Sequence, residues 1–483
     1  MGCGCAIILL TFIGQIVSDS LDENQIAHAR WFVAHKRRWP LCLPTFLGAG
    51  LAVYCLLVTQ GRIAALAHLP QSRAAVAALA PAPVPESENA APIWIEMQKE
   101  MRSNSFEGTL LGAHYSSTTQ VFGQSVGAST LKYKKSEWQA KSTYADNSAA
   151  RIWVRMSDKA LALSESAASK SGCNWGIDYN TVVSEGLFSG IPMRDVARLL
   201  ATQARIAAFD NDWKKAEGSF CIMMRASDDL LCERTEMNVL TAMAIDGMVI
   251  DALEDCLAVA QSPPPIDALK RLRDFCRQRL NSSLHVADAN ETTKRFACLR
   301  VDRQGAGQDP MHLFTSSNRP VLMDLFPIIY SSSRAFTEQA GNKVVATARE
   351  LETSGRFHLV DLDRECNEAR ANLLYFDIIP SDRLKISWLA DRSGWRVAMA
   401  SLASLEYRLT HEGQWPTTLA DTGLEPEYLK DPRDPDQHPL RFKVADGALV
   451  VWSVKMADSL SSDFVFRTPP LSESTEPKKE IKP

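Results

Sequence analysis

A chain of 483 residues, 46% of them hydrophobic, has room for two or three domains and an ample core without covalent staples. Its net charge of -4 and pI near 6.2 exclude a general nucleic-acid binder, which would carry a basic face; the run Lys132, Lys134, Lys135 is too short to supply one. Eleven cysteines include no C-x-x-C pair outside the N-terminal apolar runs, which excludes a zinc site built on that spacing and leaves free thiols packed in helices, or one or two disulfides in an oxidising compartment.

The first apolar run, Cys3–Val17, is 15 residues long and contains Thr11 and Gln15, so it is marginal as a span. No basic segment precedes it, against a cleaved signal peptide, and Ala6 stands where myristoylation wants Ser or Thr. The basic cluster His35, Lys36, Arg37, Arg38 is followed directly by Leu41–Val58, which is 18 residues long and uncharged. A soluble helix of that length would show a polar face. The pattern therefore predicts a transmembrane helix over 41–59, with residues 1–40 cytoplasmic or marginally inserted and the chain from about Gln60 onward on the periplasmic side.

Residues 60–92 form an Ala/Pro-rich spacer: a helical stretch to Ala80, then the stiff run Pro81-Ala82-Pro83-Val84-Pro85, expected to lift the next domain off the bilayer. Asn89-Ala90-Ala91-Pro92 opens a helix with Pro92 in its first turn. Residues 103–150, rich in Ser, Thr, Gly and Tyr, are expected to be loops with a few weak strands. From Met193 the apolar spacing predicts helices over about 193–207, from Trp213, over 233–260 and over 266–280, then near 320–353 and 386–411. Ala204, Ala208, Asp210–Trp213, Ala216 and Phe220 resemble one tetratricopeptide-type unit, so residues 93–380 are expected to form a mainly helical domain organised as a helical-hairpin array.

After Gly413 and Pro416 end the last helix, a Pro/Asp-rich loop (Asp431–Asp436) precedes two apolar runs, Leu440–Val444 and Leu449–Val454. These flank Asp446-Gly447 and predict a β-hairpin in a small α+β module over 381–466. The Pro/Ser/Glu/Lys-rich tail, 467–483, is expected to be disordered.

Tyr407, Gly413, Trp415, Pro416, Leu419, Asp434, Pro435, Pro439, Leu440, Phe442 and Ser453 resemble the globular half of type II secretion pseudopilins. That resemblance implies a long helix packed on a small antiparallel sheet. More than 300 residues separate the span from this motif, Lys455 stands where related sequences tend to have Gly, and Asp458 and Asp463 fall short of a calcium cage, which argues against filament assembly and calcium binding. Over residues 83–466 the chain resembles a group of uncharacterised membrane-anchored proteins of planctomycete-type bacteria, which implies an architecture and a location without a reaction.

Nine scattered histidines include no H-E-x-x-H pair, and no nucleophile elbow or Walker loop is present; Gly305-Ala306-Gly307 stops short of a nucleotide-binding fingerprint. Asp228-Asp229 and Glu254-Asp255 are adjacent on predicted helices and are expected on solvated surfaces, and Asp361 and Asp363 lack a third acid. Nine tryptophans beyond the span are expected mostly in the core. The sequence therefore assigns no catalytic, cofactor-binding or metal-binding residue and no cofactor. It leans away from an enzyme, toward a single-pass bacterial envelope protein held in the bilayer by Leu41–Val58, with a protein or peptide partner and a binding or scaffolding role. The alternatives are a secretion-system component related to pseudopilins and an envelope hydrolase with an unrecognised site.

Overall fold

The computed structural model describes residues 39–103, 149–177, 179, 191–306, 321–354, 382–434, 436–445, 447–453 and 465–468. Expectations for Cys3–Val17, most of 103–150, Asp361, Asp363, Lys455, Asp458, Asp463 and the tail beyond Thr468 fall outside them. The described residues are mainly helical, with one small antiparallel sheet near the C-terminus. The chain divides into two compact units, residues 1–67 with 303–331, and residues 68–302 with 332–483.

Helix α1 (Trp39–Ala77) joins the expected span and the Ala-rich stretch into one element of 39 residues. At about 1.5 Å per residue it is about 58 Å long, roughly twice a bilayer's hydrocarbon core. It is long and apolar enough to cross a membrane: only 11% of its most apolar window is buried, and Leu47, Leu51, Val53, Leu56, Ile63 and Leu66 are exposed. A core helix of a soluble protein would hide these side chains. In the first unit, Gly305 lies so close to Tyr330 and Ala65 that a Cβ would stand 2.5 Å and 2.7 Å from their carbons, leaving room for glycine alone.

In the second unit the end of α1 buries Leu69, Ser72 and Val76, which helical spacing puts on one face. The Ser72 hydroxyl donates to buried Asp302, which also pairs with Arg334 at 3.2 Å, and Arg295 Nη1 donates to the Ala75 carbonyl at 3.0 Å. The Pro-rich spacer is extended as its prolines require, but it is fastened rather than free. Asn89 bridges parallel to Gly172; its side chain donates to the Asn174 carbonyl at 2.9 Å and accepts from the amides of Asn174 at 2.8 Å and Ala91 at 3.2 Å. One residue thus caps α2 (Ala91–Ser103) and clamps the spacer. N89A should cost about 1–2 kcal/mol and expose residues 78–90 to protease; unchanged limited proteolysis would refute the clamp.

Helices α3 (Ala149–Met156) and α4 (Asp158–Ala168) lead to the hairpin of α5 (Ile191–Phe209) and α6 (Trp213–Leu231). Ala204, Ala208, Trp213, Ala216 and Phe220 are buried in that hairpin, the small residues letting the helices approach. Asn211 takes the left-handed conformation at φ 61°, and the Asp212 side chain accepts from the Lys215 amide at 3.1 Å to cap α6. A second copy of this hairpin is not seen among the described residues. Instead α7 (Glu236–Val259) runs through the interior, with sixteen buried residues between Asn238 and Val259, packed on α5, α6 and α11 (Asp382–Thr410). Helix α8 (Ile266–Asn281) pairs with α11, and α9 (Val286–Gly305) and α10 (Val321–Ser354) follow α8.

The sheet has the order β1-β2-β3, from Arg441–Ala445, Ala448–Trp452 and Val465–Thr468, with Ala445 opposite Ala448 across the Gly447 turn, where φ is 73°. Leu449, Val451 and Phe466 face inward where α11 packs on β2 and β3. Trp415 Nε1 and Arg408 Nη1 both donate to the Gly447 carbonyl, at 3.1 Å and 3.2 Å, and Arg408 lies 4.5 Å over the Trp415 ring, so the helix-Gly-x-Trp-Pro motif holds the hairpin turn in place.

Two expectations need correction. Strand β3 includes Arg467 and buried Thr468, so the tail does not begin at 467. Asp229, Glu254 and Asp255 are buried, not solvated: adjacent helical residues diverge by about 100°, and Asp229 and Asp255 turn inward onto partners from other helices. Asp255 pairs with Arg205 at 2.8 Å, and Asp229 with Arg225 at 3.0 Å and with the Trp94 indole N–H at 2.8 Å.

Candidate functional site

Four helices of the second unit bring ionic side chains to one interior point. Arg279, in the last turn of α8, donates from Nε to Asp246 of α7 at 2.7 Å, from Nη1 to Asp228 of α6 at 2.6 Å and from Nη2 to the Ser227 hydroxyl at 2.7 Å. Ser227 in turn donates to Asp246 at 2.9 Å. Arg279 and Asp246 are 3% and 0% exposed, so their attraction acts in low dielectric and must offset a large desolvation cost. Burial alone would lower the Arg279 pKa, but the Asp246 and Asp228 charges outweigh it and keep the guanidinium protonated.

Asp391 of α11 completes the cluster. No N–H or O–H donor among the described residues reaches either of its carboxyl oxygens. Burial, and then the neighbouring Asp246 charge, push its titration well above the ordinary carboxylate value, which favours its uncharged form. Arg392 next to it is 6% exposed and turns the other way, donating from Nη1 to the carbonyls of Arg279 at 2.7 Å and Leu280 at 3.0 Å, and from Nη2 to that of Ser282 at 2.6 Å. It thereby satisfies the open C-terminus of α8, a favourable place for a cation.

Above Arg392 a groove of about 480 Å³ opens between residues 280–284, the end of α10, α11 and the short helix α12 (Pro426–Leu429). Its charged lining is Arg392, Arg396, Lys430, Glu352 and Glu427, with Trp388 and Tyr428 as aromatic walls. Trp388, Arg392 and Arg396 recur every fourth residue and so share one face of α11. That W-x3-R-x3-R stripe is the sequence signal that could have pointed here, although its partners lie in three other segments. Glu352 is committed, accepting from the α9 amides of Val286 at 2.7 Å and Ala287 at 3.4 Å. Arg396 is fixed by one bond, Nη1 to the Lys430 carbonyl at 2.8 Å; its Nε is shielded without an acceptor, and burial and then the Arg392 charge depress its pKa. Among the described residues, the Lys430 ammonium and the Glu427 carboxylate make no side-chain hydrogen bond or ion pair.

The groove rim is the loop from Lys430 to Pro439, which are bridged antiparallel. Buried Asp431 accepts from the Arg433 amide at 2.9 Å and the Ser453 hydroxyl at 2.8 Å, tying the loop to the end of β2. Asp434, Asp436 and His438 converge within 4.8 Å on this loop. Asp434 accepts from the Asp436 amide and meets His438 Nδ1, each at 2.9 Å, so the cluster closes the turn; three side-chain donors are about half of what a calcium cage needs.

A second polar knot lies at the end of α6. Glu233 accepts from the Trp175 amide at 3.1 Å and from the Tyr179 hydroxyl, and the Trp175 indole donates to the Asp229 carbonyl at 2.9 Å. Burial raises the pKa of Asp229 to about 6, against the bonds from Trp94 and Arg225, and likewise raises that of Glu233. The knot is filled with its own partners and fastens α2 and the 173–179 segment to α6. The seven cysteines Cys55, Cys173, Cys221, Cys232, Cys256, Cys276 and Cys298 are free thiols; burial pushes Cys232 and Cys298 up to about 11, far from the thiolate that nucleophilic chemistry needs. The sequence assigned no site residue, and the groove is therefore an addition from the structure.

No family model, curated protein or solved structure matches the chain.

Proposed function

We propose that the protein is a membrane-anchored cell-envelope protein, held by α1 with the bulk of the chain on the extracytoplasmic side, and that its role is binding or scaffolding rather than catalysis. The exposed apolar face of α1 supports the anchor, and the basic cluster His35–Arg38 ahead of it supports the orientation. The observation that carries the binding role is the groove beside Arg392, whose unengaged groups are charges suited to holding a ligand, while the buried acids Asp229 and Glu233, whose pKa values are raised, are occupied by neighbours in the interior.

Reporter fusions after Arg38 and after Pro85 are expected in different compartments; finding both in the cytoplasm would sink the orientation. A photo-crosslinking residue at Gln437, on the groove rim, should give a discrete adduct in intact cells that the same residue at exposed Lys270 does not. Identical labelling at both positions would count against the groove as the binding surface.

A second reading, a component related to a secretion pseudopilin, is supported by the packing of α11 on β2 and β3 in the order helix, Gly413–Pro416 and hairpin. Recovery of secretion-apparatus proteins in the crosslinks from Gln437 would favour it.

A further inference from the structure

We propose that the groove between α8, α11 and α12 holds the free carboxylate end of a peptide, with Arg396 and Lys430 as its anion-binding pair. The proposal rests on the binding role argued above and names the ligand for that same groove.

Charge comes first. The lining carries three cations, Arg392, Arg396 and Lys430, against two acids, Glu352 and Glu427. Glu352 is taken by the N-terminal amides of α9, and Arg392 by three backbone carbonyls, so neither is available to neutralise a ligand directly. The net excess is one positive charge, 3 − 2 = +1, which matches a carboxylate better than a doubly charged phosphate.

Geometry narrows it further. Arg396 is locked at Nη1 by the Lys430 carbonyl, while Nε and Nη2, the adjacent edge of the guanidinium, have no acceptor among the described residues. A shielded donor left unpaired is costly, and a ligand oxygen brought to that edge relieves it. Two parallel N–H groups suit a carboxylate, and exposed Lys430 adds an ammonium to the same groove lining. The neutral polar lining, Asn281, Ser283, Thr353 and Gln437, offers the amide and hydroxyl groups that a peptide backbone pairs with, and Leu280, Leu284, Trp388 and Pro432 offer apolar contact for its side chains. The volume of about 480 Å³ lies in the range that encloses a short peptide end rather than a folded partner.

The test uses the full chain in detergent, with N-acetyl-trialanine as free acid, the same peptide as C-terminal amide, and inorganic phosphate as probes in calorimetric titrations. The free acid is expected to bind at least ten-fold more tightly than the amide and than phosphate. K430Q and R396Q should each reduce that preference several-fold, and E427Q should increase affinity for the acid. Lys430 is exposed, so K430Q keeps the test valid if R396Q fails to fold. Equal binding of acid and amide, tighter binding of phosphate, or no binding of any probe overturns the proposal. If the peptide acid fails while Gln437 still gives its specific crosslink, the ligand assignment falls and the binding role stands; if both fail, both fall.

Discussion

R279M should lower the stability of the detergent-solubilised protein by about 3–5 kcal/mol, because it leaves the fully buried Asp246 charge without its guanidinium. Against a typical total of about 5–15 kcal/mol, that is between roughly a fifth and the whole of the stability. D391N should cost under about 1 kcal/mol. Burial and the Asp246 charge favour the uncharged form of Asp391, and among the described residues it has no incoming donor to lose. The double variant D246L/R279M should recover most of the loss, since removing both charges removes the unpaired one. Chemical denaturation midpoints of the three variants decide the matter; a D391N loss as large as that of R279M would show that Asp391 is ionised and structurally engaged.

The second large effect is on the pH dependence of folding. Burial raises Asp229 from an ordinary 3.8 to about 6. The folded protein therefore holds a proton there between about pH 4 and 6 that the unfolded chain has already released. Stability from this group is full below about pH 4, falls as pH rises through that window and is level above it. The shift, 6 − 3.8, is about 2 units, equivalent to about 3 kcal/mol. D229N carries a neutral group at every pH. Relative to the unsubstituted protein it should gain about 2–3 kcal/mol between pH 4 and pH 7, with most of the change between about pH 4 and 6. Parallel stability curves for the two proteins would mean that Asp229 keeps an ordinary pKa. Asp391, raised by burial and by Asp246, acts in the same direction.

The helical architecture was legible where local signals agree. Asp210–Asp212 between apolar faces marked the α5–α6 hairpin, and Asp446-Gly447 marked the turn between β1 and β2. Helix α9 was missed because its buried face includes Asn290, Thr292 and Asp302, which break the apolar rhythm that a sequence reading follows. The ionic interior was misread for a related reason. Whether an acid on a helix faces water or protein depends on a cation many residues away, 50 for Arg205 and Asp255 and 33 for Arg279 and Asp246, and no local pattern carries that information. The groove is harder still. Its stripe on α11 is visible as Trp388, Arg392 and Arg396, but Glu352, Tyr428 and Lys430 reach it only through tertiary folding.

The charge balance around Arg279 also limits how this sequence can drift. A single exchange of Asp246 or Arg279 strands its partner inside the protein, whereas joint replacement by apolar residues, or an exchange of Asp391 for Asn, does not. Among descendants of this chain, positions 246 and 279 should therefore change together or not at all, while 391 alternates between acid and amide, a signature that would locate the interior of the fold from sequences alone.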